Sequence, residues 1–372
     1  MQEATLTTQA PEAQALTLSI GIASGDWLSP SQSPDGVPRW GGAGWARLGQ
    51  YVGMLGTSTT VGVLMWHRDH FFIRDATGEL IDVEMIILQR LMHEGLDDKI
   101  REARAYGQII INDLDDWYWG LDTKNAAFMS SHPKNNPKEN RNHYKGVLGA
   151  SDFVIVSTPY IRERISAWVR CPIVVLQNSI DVSAFTPVEH TDGLPRVGWV
   201  GSTSHRSGDL ETVKGIIKPM VDAGEITFQH SGHYPHSQSV ASILGLRDDQ
   251  VSTVPLVEPH LYPSSLTMEV GIAPLRDTPF NHAKSDIKAL EYSAAGIPWI
   301  GAPLTSYKAL VDNWGMGRLA KNGQQWRRHI NELKDPEVRR QEGALLRQKA
   351  WTRDVSFGAH AFRQILINFS RG

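Results

Sequence analysis

The string KSDIKALEY, which begins at Lys284, combines lysines, a serine and a glutamate at spacings that suit an anionic ligand. If a helix starts there, its first backbone N–H groups point at the anion and Lys284 adds a positive charge beside them. Glu291 follows about two helical turns later, on the same face, where a carboxylate can accept hydrogen bonds from both hydroxyls of a ribose. The pattern predicts a phosphate site at Lys284, Ser285 and Lys288 beside a ribose site at Glu291. A surface helix with solvated lysines fits the same spacing.

A second polar cluster follows the apolar string RVGWV, which is typical of a buried strand. Its members are Gly201, Ser202, Thr203, His205 and Arg206. In open α/β sheets ligands bind at the carboxyl ends of the strands, so this loop can meet the same anion as Lys284. We predict that its two basic residues neutralise a diphosphate from the side opposite Lys284. A helix N-cap at Ser207 without any ligand is the alternative.

Glycines form a third candidate contact in the first half. Gly41, Gly42 and Gly44 lie just before a predicted helix at residues 45–55. Glycine lets the backbone approach a ligand closely, so Gly42 and Gly44 are candidate binding residues. The spacing is not a dinucleotide-binding fingerprint, because the loop comes long after its strand and no acid follows about 20 residues later. Ordinary loop flexibility explains these glycines equally well.

These motifs are embedded in an alternation of short apolar strands and helix-length amphipathic segments, which predicts an α/β architecture with parallel sheets. In the first half we predict strands at residues 16–23, 59–66, 83–91, 108–113, 152–157 and 173–177. In the second half we predict strands at residues 196–201, 226–232, 251–257, 269–275 and 297–302. Helices are predicted between the latter at residues 208–223, 237–246, 260–266, 284–295 and 306–313.

The composition is that of a globular protein with two domains. Its 372 residues exceed the size at which one core usually keeps growing. The 37 basic and 40 acidic residues give a net charge of -3, so nothing global attracts nucleic acid and we expect no such partner. Cys171 is the only cysteine, which favours a reducing compartment and predicts a cytoplasmic protein. No apolar run approaches the roughly 20 residues of a membrane span, while peripheral membrane contact stays open.

The predicted organisation has four parts. Residues 1–14 form a disordered tail, residues 15–188 a first Rossmann-like domain, residues 189–350 a second one, and residues 351–372 a C-terminal helix. The boundary falls near residues 186–195, a polar segment with two prolines. Two doubly wound domains of this kind face a cleft, where ligands usually bind.

Three longer strings resemble the glycosyltransferases of the GT4-like group, which have the GT-B fold. They are DFVIVSTPYIRERISAWVRCPIVVLQNSIDVSAFTP at 152–187, RVGWVGSTSHRSGDLE at 196–211 and GIAPLRDTPFNHAKSDIKALEYSAAGIPWIGAP at 271–303. With weaker matches at GGAGWARL and INDLDDWYW, the resemblance covers most of residues 16–319. It implies that the C-terminal helices pack back toward the first domain, and that the glycine loop faces the donor across the cleft.

The resemblance also implies an activity. Members of this group transfer a sugar from a nucleotide-sugar donor to an acceptor hydroxyl on a glycan, a lipid or a protein, including surface and virion proteins. They do so with retention of configuration, without a metal and without a separate cofactor. Arg206 and Lys284 are then the catalytic cations on the leaving diphosphate, because bond cleavage places negative charge there.

Carboxylates in INDLDDWYW are the candidates for the acceptor side. Asp113 and Asp115 spell the D-x-D of metal-dependent GT-A glycosyltransferases, in which carboxylates bind a divalent ion. Here they lie in the half opposite the phosphate motifs. Because lysine and arginine in those motifs take the place of the metal, we expect no metal. We assign Asp115 and Asp116 to acceptor or sugar contacts in the catalytic site. Turn or core roles fit them equally well.

One position departs from the pattern of the group. Many members carry a glutamate near the transferred sugar where this chain has Ala283, and only Glu291 matches their second glutamate. The departure leaves the identity of the sugar open. Two alternatives to transfer also stay open: a nucleotide-sugar epimerase, which needs no acceptor, and a non-catalytic protein that binds nucleotides or carbohydrates.

Overall fold

A computed structural model of the chain describes residues 19–33, 35–55, 58–203, 208–234 and 237–370. The predicted tail at residues 1–14 lies outside this part of the chain, and so do His205 and Arg206. Of the helices in the described ranges, none is both long enough and apolar enough to cross a membrane.

The first half is built around one parallel sheet. Its elements in chain order are β1 (Ile20–Ser24), β2 (Trp27–Leu28), β3 (Arg39–Trp40), α1 (Gly42–Arg47), β4 (Thr59–Val61), β5 (Val63–His67), β6 (His70–Arg74), β7 (Leu80–Asp82), β8 (Met85–Gln89), α2 (Leu96–Ala105), β9 (Ile109–Leu114), α3 (Ala126–Ser131), α4 (Arg141–Ala150), β10 (Phe153–Val156), α5 (Pro159–Ile165) and β11 (Ile173–Val175). Six strands pair in the order β11, β10, β9, β8, β1, β4. The central strands are buried along their length, as continuous apolar runs predict for a sheet covered on both faces.

The predicted strand at residues 59–66 is in fact two strands in different sheets. β4 joins the parallel sheet beside β1, whereas β5 pairs with β6 in an antiparallel sheet of three strands that β7 completes. Gly62 marks the change: its N–H donates to Ile22 O at 3.0 Å, and a Cβ on it would overlap the backbone of Arg74. The prediction was wrong here because a β-rich run of residues does not reveal such a backbone contact.

The second half contains the other parallel sheet. Its elements are β12 (Arg196–Val200), α6 (Lys214–Asp222), β13 (Thr227–His233), α7 (Val240–Leu244), β14 (Val251–Pro255), β15 (Val270–Ala273), α8 (Pro279–His282), α9 (Ile287–Ala294), β16 (Trp299–Gly301), α10 (Thr305–Trp314), β17 (Arg318–Leu319), α11 (Gly323–Glu332), α12 (Pro336–Ala350) and α13 (Val355–Ser370). The strand order is β14, β13, β12, β15, β16, β17. The predicted helix at residues 260–266 is only a 3-10 turn, Tyr262–Ser265.

Each sheet has a switch point, where the strand order reverses direction. In the second sheet it lies between β12 and β15, and in the first sheet between β1 and β8. Ligands of doubly wound sheets bind outside the carboxyl ends of the strands at such points. The loops that follow these four strands therefore define where a site is expected.

The C-terminal helix returns to the first half, as predicted. Phe362 and Leu366 of α13 are buried in one cluster with Ile20 and Ile87 of the first sheet. The rings of Phe153 and Phe369 stack with their centroids 3.7 Å apart. Burial of these side chains ties the end of the chain to the first half, at roughly 1.5–3 kcal/mol for each large apolar side chain.

Candidate functional site

The two motifs of the second half follow the two strands at its switch point. β12 leads directly into Gly201, and β15 leads through a loop and α8 to Lys284 and then to α9. The helix α9 begins at Ile287, three residues later than predicted. The reason is local, because α8 forms its own short turn, in which the Thr278 hydroxyl accepts a hydrogen bond from Asn281 N at 3.2 Å. Lys284 therefore lies in the connection between the two helices and not on α9.

Lys288 joins the two motifs. Its side chain is buried, its ammonium donates to Val200 O, and the nitrogen lies 4.9 Å from the centroid of the Trp199 ring. A Cβ on Gly201 would lie 3.3 Å from this nitrogen, and Gly201 has a φ of 136°, so glycine is required at this point. The alternative of a solvated surface lysine is wrong for Lys288. Its charge is held against the carboxyl end of β12, where a ligand is expected.

Glu291 lies one turn after Lys288 on the same helix. The hydroxyl of Tyr262 donates to Glu291 Oε2 at 2.8 Å. Burial raises the pKa of Glu291 to about 7, against the opposing effects of the Tyr262 hydrogen bond and the Lys288 charge. A carboxylate kept from water in this way accepts hydrogen bonds from hydroxyl groups strongly once it is ionised. Sequence reasoning missed Tyr262, because the 3-10 turn that presents it was taken for a helix.

The loop after β12 is described only in part. The Thr203 hydroxyl donates to Gln238 O at 2.8 Å and also bonds to Ser237, so this side chain fixes the loop to the start of α7. Ser202 follows Gly201 at the carboxyl end of β12. His205 and Arg206 come next, outside the described residues, and their assignment stays a prediction.

Lys284 faces the first half of the molecule. Its ammonium lies 3.7 Å from Asp116 Oδ1 and 4.4 Å from the centroid of the Phe280 ring. The neighbouring Ser285 hydroxyl accepts a hydrogen bond from Asn178 Nδ2 at 2.8 Å. Lys284 and Ser285 thus lie at the boundary between the two halves, in contact with side chains of the first half.

Asp113 and Asp115 occupy different environments. Arg47 is fully buried and pairs with Asp113 at 2.6 Å, and it also donates to Leu176 O and to Asn178 Oδ1. Asp115 follows β9, and burial raises its pKa to about 7. The charge of Arg90 lowers this pKa, and the neighbouring carboxylates raise it further. Among the described residues, its buried Oδ1 has no hydrogen-bond partner. Asp113 is therefore engaged inside the first half, whereas Asp115 keeps an oxygen for another group.

The glycine loop is held by a carboxylate at the switch point of the first sheet. Asp26, which follows β1, accepts from Gly44 N at 2.7 Å, and a Cβ on Gly41 would overlap its carboxylate. Gly42 faces open space. Arg90, which follows β8, lies 3.6 Å from Asp26. Close packing explains Gly41 and Gly44, while Gly42 stays a candidate contact.

Arg90 and Arg47 are two charged residues near Asp115 that sequence reasoning missed. Arg90 donates to the Tyr118 hydroxyl at 2.8 Å, and Arg47 is fully buried against Asp113. A charged residue at the end of an apolar strand, as in IILQR, was the available signal for Arg90.

Ala283 is buried between the two halves. It has no exposed surface, it packs with the core of the first half, and its carbonyl accepts from the Thr158 hydroxyl at 3.3 Å. On the other side, a Cβ on Gly120 would lie 2.8 Å from Phe280 N. The halves are in backbone contact where the GT4-like group that the sequence resembles has its first glutamate.

This architecture is the GT-B fold of glycosyltransferases, with two Rossmann-like domains of six parallel strands each. No family model and no curated protein matches the chain. Sucrose-phosphate synthase from Thermosynechococcus elongatus is similar over 95% of this chain and 100% of its own, at TM-score 0.64 and 15% identity. HepE of Anabaena, solved with UDP and glucose, is similar over 94% and 99%, at TM-score 0.61 and 12% identity. The pneumococcal O-GlcNAc transferase GtfA, solved with UDP and GlcNAc, covers 76% of this chain and 56% of its own, at TM-score 0.50 and 15% identity.

Proposed function

We propose that the protein transfers a sugar from a nucleoside-diphosphate donor to an acceptor hydroxyl. The observation that carries the proposal is the contact of Lys288 with the carboxyl end of β12, at the switch point of the second sheet, with the buried Glu291 one turn later on the same helix. The presence of UDP and a sugar in the structures of HepE and GtfA, which share the fold, supports a nucleotide-sugar donor. We propose that the acceptor is a glycan, a lipid or a protein and that the protein is cytoplasmic.

Each residue of the site receives a role under this proposal. Lys284, Ser285 and Lys288 hold the diphosphate with the backbone that follows Gly201, and Arg206 and His205 add charge from the adjoining loop. Glu291 accepts hydrogen bonds from the ribose hydroxyls. These cations stabilise the negative charge that develops on the leaving diphosphate, without a metal.

The first half supplies the acceptor side. Asp115 and Asp116 contact the sugar or the acceptor, and the backbone at Gly42 approaches the donor. The acceptor hydroxyl attacks the anomeric carbon from the face on which the diphosphate leaves, so the new bond keeps the original configuration. The departing phosphate oxygen takes the proton of the hydroxyl.

A thermal-shift screen against UDP, GDP, ADP and TDP tests the donor site, because a ligand that binds only the folded state raises its apparent stability. We expect one nucleotide to raise the melting temperature, and Lys284→Ala to reduce turnover with the matching nucleotide sugar by about tenfold to a thousandfold. Lys308→Ala, on the exposed face of α10, is the control and should leave turnover unchanged. Normal turnover in Lys284→Ala would remove this lysine from the mechanism.

Non-catalytic nucleotide binding is a second candidate. The burial of Ala283 favours this candidate, because the methyl side chain of a fully buried alanine cannot reach a sugar. Calorimetric binding of a nucleotide sugar with neither hydrolysis nor transfer over many hours would support this candidate. Slow hydrolysis of the bound donor would support the transferase.

A further inference from the structure

Two ion pairs bridge the halves beside the proposed donor site. Lys284 Nζ lies 3.7 Å from Asp116 Oδ1, and Arg276 Nη1 lies 3.6 Å from Asp122 Oδ2. Both acids belong to the segment between β9 and α3, and both cations belong to the segment between β15 and α9. At the boundary, carboxylates of the first half therefore pair with cations of the second half.

The pair at Lys284 is partly withdrawn from water. The side chains of Lys284 and Asp116 are 18% and 24% exposed. Attraction between such charges exceeds that of a fully exposed pair, because the surrounding dielectric constant is lower. A phosphate that binds Lys284 brings a second anion to this cation, and the repulsion between the two anions sets the phosphate and the carboxylate in competition for the ammonium.

We propose that Asp116 is an internal competitor for the donor diphosphate at Lys284, so that nucleotide binding breaks an ion pair between the halves. This inference rests on the proposed function, because it takes Lys284 as a diphosphate contact. In the ligand-free protein the carboxylate holds the ammonium in the boundary. When the diphosphate takes the ammonium, Asp116 is released toward the acceptor side.

Contacts between the halves that do not involve the charge of the Lys284 side chain remain when the nucleotide binds. Asn178 still donates to Ser285, and the Thr158 hydroxyl still donates to Ala283 O. These uncharged contacts keep the halves in register while the charged pair is exchanged. Donor binding therefore breaks the ion pair and leaves the other contacts between the halves in place. The protein binds the donor more weakly than the same cations would without Asp116.

Calorimetry with UDP tests the competition. Asp116→Asn keeps the size of the side chain and removes its charge, and we expect UDP to bind roughly threefold to tenfold more tightly than to the unaltered protein. Asp312→Asn is the matched control, because it removes one charge and one exposed ion pair, with Lys308 at 2.7 Å on α10. UDP affinity should not change in the control. In a Lys284→Ala background, Asp116→Asn should give no gain.

The outcomes separate the inference from the function on which it rests. Unchanged or weaker UDP binding in Asp116→Asn overturns the inference alone, as does an equal gain in Asp312→Asn or a gain that persists without Lys284. If the unaltered protein binds none of UDP, GDP, ADP and TDP, the proposed function fails and this inference fails with it. Thermal unfolding of each variant without nucleotide confirms that a change in affinity is not a loss of folded protein.

Discussion

Replacement of Glu291 by glutamine should remove a pH dependence from nucleotide binding. Burial raises the pKa of Glu291 to about 7, and only the ionised carboxylate accepts hydrogen bonds on both oxygens from ribose hydroxyls. About a tenth of the carboxyl groups are then ionised at pH 6 and about nine tenths at pH 8. UDP should therefore bind the unaltered protein about ten times more tightly at pH 8 than at pH 6 through this group alone.

The assay is calorimetric titration with UDP at several pH values between 6 and 8. The terminal phosphate of UDP itself titrates near pH 6, which adds a slope in every variant, so the informative quantity is the difference between the unaltered protein and Glu291→Gln. Tyr262→Phe provides a second arm. The Tyr262 hydrogen bond lowers the pKa of Glu291, so its loss should move the transition to higher pH. Equal slopes in the unaltered protein and in Glu291→Gln would refute the ribose role of this residue.

Three further predictions concern the framework of the site. Arg47→Met should lower the free energy of unfolding by about 3–5 kcal/mol in urea titrations, because it leaves Asp113 buried without its partner, and adding Asp113→Leu should restore much of the loss. Ala283→Glu should destabilise the protein by several kcal/mol, because it places a carboxyl group in a buried site. The loss should be larger at pH 8 than at pH 5, since burial disfavours the ionised form. An equal loss of melting temperature at the two pH values would contradict this. Gly120→Ala should cost about 1–3 kcal/mol by pushing on the backbone of Phe280, and an unchanged urea midpoint would show that the halves separate easily there.

Local features of the chain were predictable because they depend on neighbouring residues. Apolar runs located the strands of the first sheet and five of the six in the second, since a strand buried on both faces must be apolar along its length. The two-residue strand β17 was not predicted, because it is too short to form such a run. The residues KSDIKALEY predict an anion site, which stays a prediction, and the structure places Lys288 and Glu291 of this motif on one helix. Errors arose where a distant backbone decides the outcome, as at Gly62.

Local patterns in the chain were enough to predict two α/β halves and to place the cations of the candidate site in the second half. Which side chains those cations meet depends on the packing of distant segments. Arg47 pairs with Asp113 at a separation of 66 residues, and Tyr262 reaches Glu291 across 29 residues. No local pattern encodes such pairs, because the order of strands in each sheet brings their loops together. The same holds for Lys284 and Asp116, whose contact depends on how the two halves pack.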